Sequence, residues 1–127
     1  MKLIKLEKPH SQLNKVFWLK ADSIEAIEEY SVYCRVYTTA GKTFEIENSS
    51  YQDNSDDILE GMIRVDSNTL IDPKRIVAVH ISGEEENGDI LINLSSNQIT
   101  ASCPIHVLMR KLEEFEEESK FKKERRH

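Results

Sequence analysis

The residues of this chain best suited to chemistry are two cysteines, four histidines and a large set of carboxylates. Cys103-Pro104-Ile105-His106 has the C-x-x-H spacing of half a zinc site, and Cys34 and His80 would have to complete it. Structural zinc sites are built from two close pairs, and only one is present here, so no metal is expected. Cys103 and His106 are also the residue types of a nucleophile and its base. A cysteine at a helix N-terminus tends to be acidified, which makes Cys103 the thiol expected to react. Cys34 alternates with Val32 and Val36 and reads as a small buried hydrophobe. Gly41, Gly61, Gly83 and Gly88 never cluster into a phosphate loop, and neither Gly-x-Ser-x-Gly nor His-Glu-x-x-His occurs. The carboxylates come in runs. Glu25, Glu28 and Glu29 are expected to cover a turn, and Glu84 to Glu86 to crown a loop. Solvated acids are not tuned for proton transfer, so neither catalysis nor a cofactor is expected.

Two constellations suit binding instead. Tyr33, Arg35 and Tyr37 alternate with Cys34 and Val36, which puts two rings and a guanidinium on one sheet face while Val32, Cys34 and Val36 face the core. Such a patch can stack a base, hold an anion or pack on another protein; cross-strand pairing on a half-exposed sheet gives the same pattern without a ligand. At the C-terminus, Glu113, Glu114 and Glu116 to Glu118 precede Lys120, Lys122, Lys123, Arg125 and Arg126. Glu116 with Lys120 and Glu118 with Lys122 stand at helical i, i+4 spacing, each worth about a few tenths of a kcal/mol. The same bases form a tail able to touch nucleic acid or an acidic partner. Asp53, Asp56, Asp57 and Glu84 to Glu86 could conversely act as a decoy for a basic partner's site.

The elements that must position these groups follow an internal repeat. Leu19-Lys20-Ala21-Asp22-Ser23-Ile24-Glu25-Ala26-Ile27 and Ile71-Asp72-Pro73-Lys74-Arg75-Ile76-Val77-Ala78-Val79 share a pattern of apolar and polar types. Each is followed by an alternating run (Val32 to Thr38, and Ile90 to Leu94), a turn at Ala40-Gly41-Lys42 or Ser96-Asn97-Gln98, and a further extended segment. Lys2 to Glu7 and Lys15 to Lys20 read as strands, and the polar stretch from Gly83 to Gly88 as an exposed hairpin tip. Ser55-Asp56-Asp57 before Ile58, Leu59, Met62 and Ile63 predicts a helix of two to three turns. A longer helix is expected from Pro104, with Val107, Leu108, Leu112 and Phe115 on its apolar stripe. The expected fold is α+β: two similar antiparallel β-rich halves, residues 1–66 with a short helix and 67–127 with a longer C-terminal one, sharing a core.

The repeated motif, with Ala21-Asp22-Ser23-Ile24-Glu25-Ala26-Ile27-Glu28 and Ala40-Gly41-Lys42-Thr43 in the first copy and Asp72-Pro73-Lys74-Arg75-Ile76-Val77-Ala78-Val79 in the second, resembles the small FlbD-type flagellar proteins. That resemblance implies a short, non-enzymatic, β-rich shape ending in a helix. It covers about 45 residues of each half, and the second copy and charged tail depart from it.

At 127 residues with a formal charge of -6, the chain fits one compact unit. No apolar run approaches the roughly 18 residues of a membrane span, and no leader-like apolar segment follows Lys2 and Lys5. Two cysteines suit a reducing cytoplasm. The expectation is therefore a cytoplasmic, non-catalytic binding or adaptor protein acting on a protein partner, or on itself as a homo-oligomer, through sheet surface or edges. The alternatives are a nucleic-acid-binding regulator using the tail and the Tyr33/Arg35/Tyr37 patch, and the acidic decoy.

Overall fold

The computed structural model describes residues 2–9, 15–81 and 88–125, with backbone alone for 121–125. Strands β1 (Leu3–Glu7) and β2 (Val16–Lys20) pair as an antiparallel hairpin. A 3-10 turn at Ala21–Ser23 leads into β3 (Ile24–Glu29), β4 (Tyr33–Thr38) and β5 (Thr43–Glu47). Two short helices, α1 (Asn48–Asp53) and α2 (Ser55–Ile58), precede β6 (Ile63–Asp66) and β7 (Thr69–Ile71). A second 3-10 turn at Pro73–Arg75 opens β8 (Ile76–Ile81), followed by β9 (Ile90–Leu94), β10 (Gln98–Ala101) and the long helix α3 (Ile105–Arg125). The fold is thus mostly β with a C-terminal helix, an α+β architecture.

Three antiparallel sheets stack. The middle one has the order β5-β4-β3-β7-β6; the β1-β2 hairpin lies on one side and β10-β9-β8 on the other. Neighbouring residues on the central strands show the layering. Ile27 and Leu70 join Ile4, Leu6, Val36, Ile46 and Ile58 in one core, while Ala26 and Ile71 join Ile90, Ile92, Ile99 and Leu108 in a second. Successive strand side chains point to opposite faces, so both faces of β3 and β7 are buried. That is why these two strands lack the alternation that marks β4 and β9.

Each half runs through two strands, a 3-10 turn and three strands, followed by two short helices in the first and one long helix in the second. Register shifts fall between Ile24 and Ala26 in β3 and between Ile76 and Ala78 in β8, at equivalent places in the two motifs. The Asp66/Ser67 boundary falls in the turn of the β6-β7 hairpin, both of whose strands belong to the central sheet.

Three local expectations are corrected. The helix expected to run from Ser55 through Ile63 stops at Ile58, because Gly61 adopts φ +76 and β-branched Ile63 and Val65 enter β6. Val32 is 63% exposed in the turn before β4 rather than facing the core. Glu25, Glu28 and Glu29 lie within β3, and Glu25 is fully buried. The tip from Glu84 to Glu86 lies outside the described residues.

Candidate functional site

The antiparallel register brings Tyr33, Arg35 and Tyr37 onto one face of β4 and then occupies them. Arg35 is the cross-strand partner of Glu28 on β3 and of Glu45 on β5. Its Nη1 lies 3.9 Å from Glu28 Oε1, and its Nη2 lies 3.5 Å from Glu45 Oε1. The hydroxyls of Tyr37 and Tyr30 both donate to Glu28 Oε1, the latter at 3.2 Å. Arg35 sits 5.5 Å over the Tyr30 ring, which itself lies 5.0 Å from that of Tyr33. Burial, and then the bond to Glu28, push the Tyr37 phenol up to about 12. One guanidinium between two carboxylates leaves this patch net negative. Its chemistry is cross-strand pairing, and a phosphate would have to displace a carboxylate to reach Arg35.

The other predicted groups are dispersed. Lys120 is exposed on α3, whereas the side chains of Lys122, Lys123 and Arg125, and all of Arg126, lie outside the described residues. Asp53, Asp56 and Asp57 lie on α1 and α2, and Asp57 accepts from Lys2 Nζ at 2.7 Å. Cys34 and Cys103 are buried in different cores. Among the described residues no cluster of three or more His, Cys, Asp or Glu could hold a metal. Cys34 Sγ donates to Asn48 Oδ1 at 3.2 Å, and burial, then Glu29, push its thiol up to about 11. The acidified Cys103 is corrected: only 2% of it is exposed, and burial raises its pKa more than nearby Lys111 lowers it. An open cleft of about 670 Å³ between α2, the second 3-10 turn and Phe115 of α3 pairs Lys2 with Asp57 and Arg75 with Asp72, and its other charged lining residues, Asp22, Glu60 and Lys74, are of mixed sign.

Two features escaped the sequence. The first is Glu25, whose Oε2 accepts from Ser96 N at 3.2 Å and Asn97 Nδ2 at 2.7 Å, while its buried Oε1 has no partner. Asn97 also donates to the Thr38 carbonyl at 2.8 Å, so the β9-β10 turn is clamped onto the first half. The second is the outward face of the β1-β2 hairpin. Ile4, Leu6, Phe17 and Leu19 turn inward onto the first core, which leaves three outward pairs: Leu3 with Lys20, Lys5 with Trp18, and Glu7 with Val16. Trp18 is 61% exposed. Among the described residues, neither Lys5 nor Lys20 forms an ion pair. Lys8 lies 5.5 Å over the Phe17 ring, which stacks on Phe44 at 4.9 Å. The available signal was parity: once Phe17 and Leu19 face inward, Trp18 and Lys20 must face out.

No family model matches the chain, and no curated protein matches it. Among solved structures it is similar to the LytTr DNA-binding domain of a Bacillus cereus protein, with a TM-score of 0.59 and 13% sequence identity. The match covers 88% of this chain and 96% of that one, and at this identity the likeness is one of fold. Neither this likeness nor the other comparisons bear on the FlbD-type resemblance expected from the repeated motif. Among the described residues, no helix is long and apolar enough to cross a membrane.

Proposed function

We propose that this chain is a non-catalytic nucleic-acid-binding regulator whose phosphate contacts come from the β1-β2 hairpin. Charge segregation carries the reading. Residues 1–20 hold Lys2, Lys5, Lys8, Lys15 and Lys20 against Glu7 alone, a net +4, so the remaining residues sum to -10. Lys2 and Lys15 are engaged by Asp57 and Glu47 and Lys8 lies over the Phe17 ring, which leaves Lys5 and Lys20 on the outward face. The fold of the LytTr DNA-binding neighbour supports the same class. The Tyr33/Arg35/Tyr37 patch serves the sheet rather than the ligand, and the C-terminal bases are an auxiliary contact. The recurring element order supports a degenerate duplication in which the first copy kept the binding hairpin.

The test is fluorescence anisotropy with labelled DNA and RNA across a salt series. Binding should fall steeply with salt, and Lys5→Glu with Lys20→Glu should weaken it by about tenfold or more and flatten the log-log slope by roughly 2. Retained affinity in that variant, with loss on neutralising Lys122, Lys123, Arg125 and Arg126, would move the interface to the tail. A second reading, an adaptor binding protein at a strand edge, is favoured by one observation: β8 is an edge strand, with Val77 73% exposed and Ile81 44%. In that case Val77→Lys abolishes capture of the partner and leaves nucleic-acid affinity unchanged.

A further inference from the structure

The chain contains one tryptophan, and the fold spends it on the surface. A tryptophan is the largest apolar side chain available to a core, yet the hairpin sends Phe17 and Leu19 inward on either side of it. Leu3 is 52% exposed and Val16 41% exposed on the same face, so the indole stands in an apolar strip. Lys5 lies directly across from it, and Lys20 lies two residues along the same strand. Facing side chains on such a pair begin about 5 Å apart, and same-face neighbours along a strand about 7 Å apart. Two ammonium groups on flexible stems therefore flank one exposed aromatic face.

Resting on the nucleic-acid reading above, we propose that this face is a platform for unpaired bases, with Trp18 stacking a base and Lys5 and Lys20 holding the adjacent phosphates. The composition of the face distinguishes this from duplex recognition. Base edges in a groove are read most selectively by the forked groups of Arg, Asn and Gln, with Lys on guanine and Glu on cytosine as simpler contacts. The outward row of Leu3, Lys5, Glu7, Val16, Trp18 and Lys20 contains no Arg, Asn or Gln. In a duplex, moreover, each base already stacks on its neighbours, and an indole on a flat sheet finds no free ring without unstacking them. Unpaired strands offer a free π-face at every base, and lysines along the same track supply affinity without sequence choice.

Because Trp18 is the only tryptophan, its fluorescence reports on the proposed contact directly. The experiment titrates the full chain with oligothymidylate of about 15 nucleotides, with a duplex of equal length, and with vesicles containing phosphatidylserine. The expected result is quenching by the single strand and a stronger affinity for it than for the duplex. Read by the anisotropy of labelled oligonucleotides, because these variants lack the indole fluorophore, Trp18→Ala should weaken single-strand binding roughly 5- to 100-fold, Trp18→Phe less, and duplex binding should barely change. Because the side chain is exposed, both variants should retain the circular dichroism of the parent; Lys20→Glu, which keeps the indole, should lower affinity while bound complexes still quench. Equal or tighter duplex binding that is indifferent to Trp18→Ala overturns the stacking proposal and leaves the nucleic-acid reading standing. Failure to bind either nucleic acid at low salt overturns both. A blue shift on vesicles without a response to oligonucleotides also overturns both, and assigns the face to an anionic lipid surface.

Discussion

A side chain's partners, more than its type, decided what each residue can do here. Arg35 has the chemistry of an anion site, but Glu28 and Glu45 face it from both neighbouring strands, and the charge is spent internally. Cys103 follows the same rule. A thiol before a helix gains from the dipole only where the thiolate is solvated, and Cys103 is enclosed with Leu108 and Ile99. Both thiols should therefore be inert in the native protein: Ellman's reagent at pH 8 should label neither Cys34 nor Cys103 on the timescale of minutes, and both after urea. Rapid labelling of Cys103 in the folded chain would restore the reactive-thiol reading. The isolated lysines of the hairpin are the converse case. Lys5 and Lys20 look ordinary in the sequence, and become notable only because their face holds Trp18 and a single carboxylate, Glu7.

Elements buried on one side were legible in the sequence, and elements buried on both were not. In β1, β2, β4 and β9 a solvated or half-solvated face leaves alternation behind, so their positions followed from period two. In β3 and β7 the burial is nearly continuous, and the acids of Ile24–Glu29 suggested a turn. Ile58, Leu59, Met62 and Ile63 fit a helix by spacing; the contrary signal was Gly61, whose left-handed backbone ends the segment before β6. The strand so formed carries Arg64, and with it a link among three elements. Arg64 Nη1 lies 2.8 Å from Glu29 Oε1 on β3, while Tyr51 of α1 donates to Oε2 at 2.7 Å. Burial raises the Glu29 pKa, but the bonds from Arg64 and Tyr51 outweigh it and hold the carboxyl below its ordinary value. A lowered carboxylate pKa contributes stability above the unfolded value, and that contribution is lost as pH falls through the folded one. Arg64→Met should thus cost about 1 kcal/mol at neutral pH, a modest figure because the guanidinium is part-exposed. The difference should shrink below about pH 4 in urea melts. A gap independent of pH would assign the loss to packing.

Across the whole molecule, the three layers are held in register by a few polar contacts of long reach. Glu25, buried in β3, meets the backbone of Ser96 and the side chain of Asn97 from the turn of the outer sheet. Asn97→Ala would remove one of two donors from the Thr38 carbonyl, which keeps Gly41 N, and one of two from Glu25 Oε2, which keeps Ser96 N, and should cost about 2 kcal/mol. Urea unfolding checks this, and an unchanged midpoint would show that water replaces the amide at no cost. Such a clamp lay beyond sequence reading because nothing local links Glu25 to Asn97, which stand 72 residues apart. The same separation has a consequence for how the chain is made. Synthesis runs from the N-terminus, so Glu25 leaves the ribosome well before its donors exist. The β1-β2, β3-β4 and β4-β5 hairpins can close on local neighbours in the meantime, but the other edge of β3 must wait for Thr69–Ile71, and the Glu25 carboxyl, still hydrated, for Asn97. The β9-β10 turn, translated some 72 residues after Glu25, is thus what drives water from that carboxyl.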